Sequence, residues 1–175
     1  MNKTFFNITG MQIGWFACAL GAADGYPWAG PVVVALYLTL FLFQSSVPRQ
    51  DVRFMLLAAL SGAIIDGLLR GSGFISYQSA VPAIDWLAPV WIIAMWMLFA
   101  TTFNASLRWL RERPLSALLL GLLFGPLSYY AGERLGAIGF AYPHEVSLPP
   151  LALLWGMIMV GLVYLSRYVY DAGGS

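Results

Sequence analysis

Apolar residues along the chain gather into six runs, at 8–24, 29–46, 53–70, 86–105, 114–131 and 149–168. Each approaches the roughly 17–25 residues that carry a helix across a bilayer. Between them lie the polar or Gly/Pro-rich stretches DGYPWAG, SVPRQDVR, GSGFISYQSAVPAID, RWLRERP and GERLGAIGFAYPHEVSLPP. Backbone amides at membrane depth must be paired within their own segment or in a closed barrel. A barrel strand alternates apolar and polar positions, and runs such as PVVVALYLTLFLF do not. The pattern predicts an all-α polytopic transmembrane bundle of six helices, a single domain over 1–175 with no extramembrane unit. Lys3 followed by an apolar stretch imitates a secretory signal. Here the stretch runs on through Trp15, and Trp15-Phe16-Ala17-Cys18 lacks the Leu-small-small-Cys of a lipoprotein cleavage box, so it reads as a retained first span.

Composition strengthens the membrane reading. Of 175 residues, 60% are hydrophobic and 10% charged, and the mean hydropathy is +0.75, outside the soluble globular range. A net charge of +1 leaves no basic excess for nucleic acid. One cysteine, Cys18, excludes an internal disulfide and a multi-cysteine metal site, and one histidine excludes a multi-histidine site. No metal and no cofactor are predicted. The basic residues matter by position: with an inside N-terminus, Lys3, Arg49, Arg53, Arg108, Arg111, Arg113 and Arg167 fall on the cytoplasmic side and only Arg70 and Arg134 outside. Both termini are thus predicted to be cytoplasmic, with Tyr26, Trp28, Trp86 and Tyr142 near the outer interface.

Against this background the stretch GAIIDGLLRGSG, residues 62–73, is anomalous because it sets Asp66 and Arg70 in an apolar helix. At about 1.5 Å per residue from Arg53, they stand roughly 20 and 26 Å into a core about 30 Å thick. Arg70 can snorkel to the headgroups, whereas the short Asp66 side chain cannot. An unpaired acid there costs about 2.5 kcal/mol or more. Spacing i, i+4 puts the two on one helical face, as a mutual cap or as the edge of a cavity. Company favours the cavity: Asp24 ends the first run, Glu133 and Arg134 end the fifth, and His144 with Glu145 occupies the last outer loop. Tyr129 and Glu133 share a face by the same spacing, as do Tyr130 and Arg134. The candidate ligand-binding residues are therefore Asp24, Asp66, Arg70, Tyr129, Glu133, Arg134 and His144.

Polar residues at the other end of the fourth run, Thr101, Thr102, Asn104 and Ser106, read as interhelical hydrogen-bonders. Small residues recur every four positions in the first run, as Gly10, Gly14, Cys18, Ala22 and as Ala17, Gly21, Gly25. They allow close approach of a neighbouring helix, in this chain or in a membrane-protein partner. A weak internal similarity links CALGAADG (18–25), LSGAIIDG (60–67) and FGPLSYYAGERLG.

No phosphate loop, nucleophile elbow or His-Glu-x-x-His string is present. The stretches LAPVWIIAMWMLFATTFNASLRWL (87–110), GWFACALGAADGYPWAGP (14–31) and GAIIDGLLRGSG resemble a family of small bacterial inner-membrane proteins classed as a domain of unknown function. That resemblance covers nearly the whole chain and implies a proteobacterial inner membrane and one six-helix domain. It brings no catalytic residues. GAIIDGLLRGSG alone is also similar to a Gly-x-x-x-Asp-hydrophobic-Gly run in the cell-shape protein MreD and in substrate-binding components of energy-coupling-factor transporters. Three functions fit: a protein binding or transporting a small or lipidic ligand near the outer leaflet, a membrane enzyme using the same acids, bases and cations on lipid, or a scaffold whose small-residue ridges meet a partner.

Overall fold

A computed structural model describes residues 3–171; the ends of the predicted domain, 1–2 and 172–175, lie outside the described residues. The helices are α1 (Lys3–Ala23), α2 (Ala29–Gln44), α3 (Pro48–Gly71), α4 (Val90–Ala100), α5 (Pro114–Arg134) and α6 (His144–Asp171). Two three-residue strands, β1 (Ile75–Tyr77) and β2 (Ile138–Phe140), follow α3 and α5.

The predicted runs thus all appear as helices, with shifted ends. Proline at the first helical position, where the missing N–H is harmless, starts α3 at Pro48 and α5 at Pro114. Helix α6 begins at His144, ahead of the predicted 149, and carries Pro149 and Pro150 in its second turn. Residues 144 and 145 are therefore helical and not a loop. Helix α4 is much shorter than the run 86–105: the chain enters it at Pro89 and leaves it through a 3-10 turn at Thr101–Asn104.

Three helices, α3, α5 and α6, are long and apolar enough to cross a membrane. Helix α1 has the length but carries Asn7, Thr9 and Gln12, and α2, with 16 residues, extends about 24 Å. The outer surfaces of the long helices are apolar at helical spacing: Leu56, Leu60, Ile64 and Leu68 on α3, and Leu115, Leu119, Leu123 and Leu127 on α5, are all exposed. Water would oppose such stripes and hydrocarbon would not. Tyr26, Trp28, Trp86 and Tyr142, at the end capped by the strands, are exposed as well.

Consecutive helices pack as hairpins, α1 on α2, α3 on α4 and, most extensively, α5 on α6. Helix α4 also meets α1 and α2, and α3 meets α6, so α4 is the most enclosed helix. The ridge on α1 is taken up within the chain: a Cβ on Gly10 would strike the Tyr37 ring of α2, and one on Gly14 would lie 2.6 Å from Leu98 of α4.

The strands were not predicted. After α3 and after α5 the backbone reverses at a glycine with positive φ, Gly73 at 72° and Gly136 at 81°, a conformation open to glycine. The segments that follow pair antiparallel, with Ser76 opposite Gly139 at the centre. This ribbon closes one end of the bundle and aims Tyr77 inward, where it is buried.

Candidate functional site

Asp66 is fully buried, and its partners come from three other elements. Oδ1 accepts from the hydroxyls of Tyr77 on β1 and Tyr129 on α5, each at 2.6 Å, and Oδ2 accepts from Trp96 Nε1 on α4 at 2.7 Å. Three short bonds to neutral donors offset much of the burial of the acid. They also lock the ribbon and helices α4 and α5 onto α3. The expected Asp66–Arg70 cap does not form. Arg70 donates to the carbonyl oxygens of Leu87 at 2.7 Å and Pro82 at 3.4 Å and stands 3.9 Å from the exposed Asp85. The connection between β1 and α4 thus supplies acceptors nearer to the guanidinium than its own helix does.

The other predicted site residues divide into two groups. His144 Nε2 lies 2.6 Å from Glu133 Oε2, with the Tyr130 ring edge-on to the imidazole at 5.1 Å. Tyr129 therefore turns inward to Asp66 while Glu133 turns to α6, although helical spacing assigned both to one face. Asp24 and Arg134 are exposed at the same end of the bundle and join neither cluster.

Behind the Asp66 cluster lies a cavity of about 600 Å³, within the range of small-molecule sites. It opens between α1 and α5, with α4 as its floor and Trp155 and Met159 of α6 at its back. Helices α1 and α5 do not form a packed pair, and a 3.2 Å hydrogen bond from Trp15 Nε1 to Ser128 Oγ crosses the gap. Asp66 is the one charged residue of the lining, which is otherwise mostly apolar and aromatic. The indole N–H of Trp155 is buried there without an acceptor.

Two further polar clusters lie toward the opposite end. Asp51, buried in the first turn of α3, accepts from Asn104 Nδ2 at 2.9 Å, from the Tyr170 hydroxyl at 2.6 Å and from the Ser45 hydroxyl. Arg111 donates to Asn104 Oδ1 at 3.2 Å and covers the Tyr170 ring at 4.0 Å; burial holds its guanidinium below the ordinary arginine pKa. Asn7 donates to Tyr37 at 2.8 Å and to Thr101 at 2.9 Å and accepts from the Ser106 hydroxyl at 2.6 Å. Thr101, Asn104 and Ser106 thus tie segments together, whereas Thr102 bonds back to the Phe99 carbonyl at the end of α4. Sequence reasoning missed Tyr77, Trp96 and Asp51. A tryptophan inside an apolar helix has an N–H that needs an acceptor, and that need was the available signal for Trp96.

Comparison places these residues in a family. A model built for proteins of unknown function (DUF2878) matches residues 4–161. The chain belongs to that family. All the Asp66 partners, the cavity and the His144–Glu133 pair fall inside the part that matches DUF2878, while Arg167 and Tyr170 lie beyond it. No curated protein and no solved structure matches the chain.

Proposed function

We propose that this is an integral protein of a bacterial inner membrane, one domain of six membrane-embedded helices with cytoplasmic termini, that binds or transports a small or lipidic ligand. The observation that carries the reading is the cavity between α1 and α5, which is apolar over most of its wall and bounded at one end by the Asp66 cluster. A ligand with an apolar body and a small polar group fits such a lining. Entry between two unpaired helices gives it a path from the bilayer without passing through water. The charge asymmetry of the loops supports the orientation, and the exposed leucine stripes support membrane insertion.

Native mass spectrometry of the purified protein tests this. Retained lipid or metabolite should be present in the wild type and absent from Ala131→Phe, which extends a ring into the cleft from a side chain with no polar partner. Equal retention in both would remove the cavity from the argument.

One observation favours a lipid-directed enzyme as the second reading. His144, a base with Glu133 as its orienting carboxylate, lines a separate groove between α5 and α6 beside Pro126 and Pro149. Hydrolysis or transfer on lipid vesicles by the wild type and not by His144→Ala would establish it.

A further inference from the structure

We infer that the group bound in the α1–α5 cleft carries a positive charge: an amine or quaternary ammonium on an apolar body, held against aromatic faces beside the Asp66 carboxylate. This rests on the ligand-binding reading above and adds the ligand's charge to it.

The reasoning begins with an imbalance. Asp66 is 0% exposed, and among the described residues no cation pairs with it. Arg70, one turn further along α3, is committed to backbone carbonyls and to Asp85. Among the described residues the acid–base contacts are Arg70–Asp85 and His144–Glu133, and neither involves Asp66. The lining of the cleft contains no lysine, arginine or histidine. Yet both carboxyl oxygens act as acceptors: Oδ1 takes two O–H groups and Oδ2 an indole N–H, which can only donate. An ionised carboxylate satisfies all three donors at once. The three donors favour a negative charge on Asp66 in an apolar region, and among the described residues no positive group is set beside it.

The wall beside it is of the kind that receives cations. Trp96 and Trp155 cover one face of each other, with centroids 5.3 Å apart, and Gly62 and Gly125 close against their other faces, so the ring left beside the acid to meet a ligand is that of Tyr129. Trp15, Trp91 and Phe99 continue the aromatic surface around the same space. The negative face of an aromatic ring attracts ammonium groups, most strongly where water is excluded. Tyr129 donates its hydroxyl hydrogen to the Asp66 carboxylate, which shifts electron density toward its ring and deepens that attraction. An anionic ligand would meet the carboxylate with nothing to balance it. A neutral one would leave it as it stands. A cation gains from both the acid and the rings, and an acceptor group beside it would also meet the unpartnered N–H of Trp155.

The same chemistry could arrive as the amine headgroup of a membrane lipid or as a free amphipathic amine. Tetraphenylphosphonium and tetraphenylborate, ions of like shape and opposite charge, separate charge from fit. Binding of each to the full-length protein in nanodiscs would be measured by equilibrium dialysis, with empty discs subtracted. The phosphonium should bind saturably and at least about tenfold more tightly than the borate. Asp66→Asn, which keeps the side chain's shape, should lose most of that preference while Ala131→Phe loses binding of both ions. If Asp66→Asn does not fold, the comparison of the two ions on the wild type still decides. Borate binding as tight as or tighter than phosphonium in the wild type, blocked by Ala131→Phe, would overturn the charge assignment and leave the cavity reading standing. Saturable binding of neither ion, with no lipid retained, would overturn both. Native mass spectrometry of the phosphonium complex then separates the sources: loss of a copurified aminolipid assigns the site to a headgroup, and binding with no lipid displaced assigns it to a free amine.

Discussion

Asp66 shows how far single residues can be read from a sequence. Its position in an apolar helix marked it as consequential, because a lone acid at that depth is expensive. Spacing offered only Arg70 as partner. The actual partners lie 11, 30 and 63 positions away, at Tyr77, Trp96 and Tyr129, and helical periodicity carries no information at those separations. Tyr129 entered the candidate set for sharing a face with Glu133, a different reason from the one its geometry gives. Removing one donor tests the cluster directly. Tyr77→Phe or Tyr129→Phe leaves Asp66 two of its bonds and should cost about 1–3 kcal/mol, read as a lower melting temperature in detergent. Asp66→Ala strands three buried donors and should cost more than either tyrosine change. A melting temperature for Asp66→Ala equal to that of the wild type would mean that the donors find water or lipid acceptors instead.

At the scale of elements, the six helices were legible because apolar runs of this length have few other solutions. The ribbon was not, since GSGFISY and GAIGFAY are too short and too rich in glycine to stand out as strands. The two segments nevertheless share an alignment that the weaker hairpin similarity only touched. Gly62, Asp66, Gly73 and Ile75 each lie 63 positions before Gly125, Tyr129, Gly136 and Ile138. Gly62 faces the Trp96 ring of α4 just as Gly125 faces the Trp155 ring of α6. The α3–β1–α4 and α5–β2–α6 units thus repeat one design, with the two tryptophans stacked where the units meet. The acid occupies one copy and a tyrosine that donates to it occupies the other. Glycine is needed at 62 and 125 because a Cβ would enter a ring that packing on both sides holds in place. Gly62→Ala and Gly125→Ala should therefore each destabilise, by about 1–3 kcal/mol, as overpacking does. Gly161→Ala on α6, where a Cβ meets nothing within 4 Å, should be neutral or stabilising by up to about 1 kcal/mol through helix propensity. Thermal melts of the three variants in one detergent make the comparison, and equal effects at all three sites would show that the rings move aside.

For the whole molecule the decisive property is orientation, since the Asp66 cavity and the His144–Glu133 pair sit toward the strand-capped end and the Asp51 and Asn7 clusters toward the other. Seven basic residues belong to the Asp51 end and only Arg70 and Arg134 to the strand end. Arg70 is partly withdrawn into hydrogen bonds with the β1–α4 connection. Basic residues in short loops set orientation because they resist translocation, so the strand-capped end should face away from the cytoplasm. Cysteine labelling resolves this once Cys18 is replaced; its buried position against Gly30 makes alanine a small substitution. Glu145→Cys, exposed at the start of α6, should react in intact cells with a membrane-impermeant maleimide, and Arg113→Cys, exposed before α5, should react only after the membrane is opened. The reverse pattern would place the cavity's polar end in the inner leaflet and move any headgroup it holds to the cytoplasmic face. Reaction of both sites in intact cells would exclude an odd number of crossings between 113 and 145, which α5 alone supplies. That outcome would mean that α5, despite its length and its lipid-like leucine stripe, does not span the bilayer.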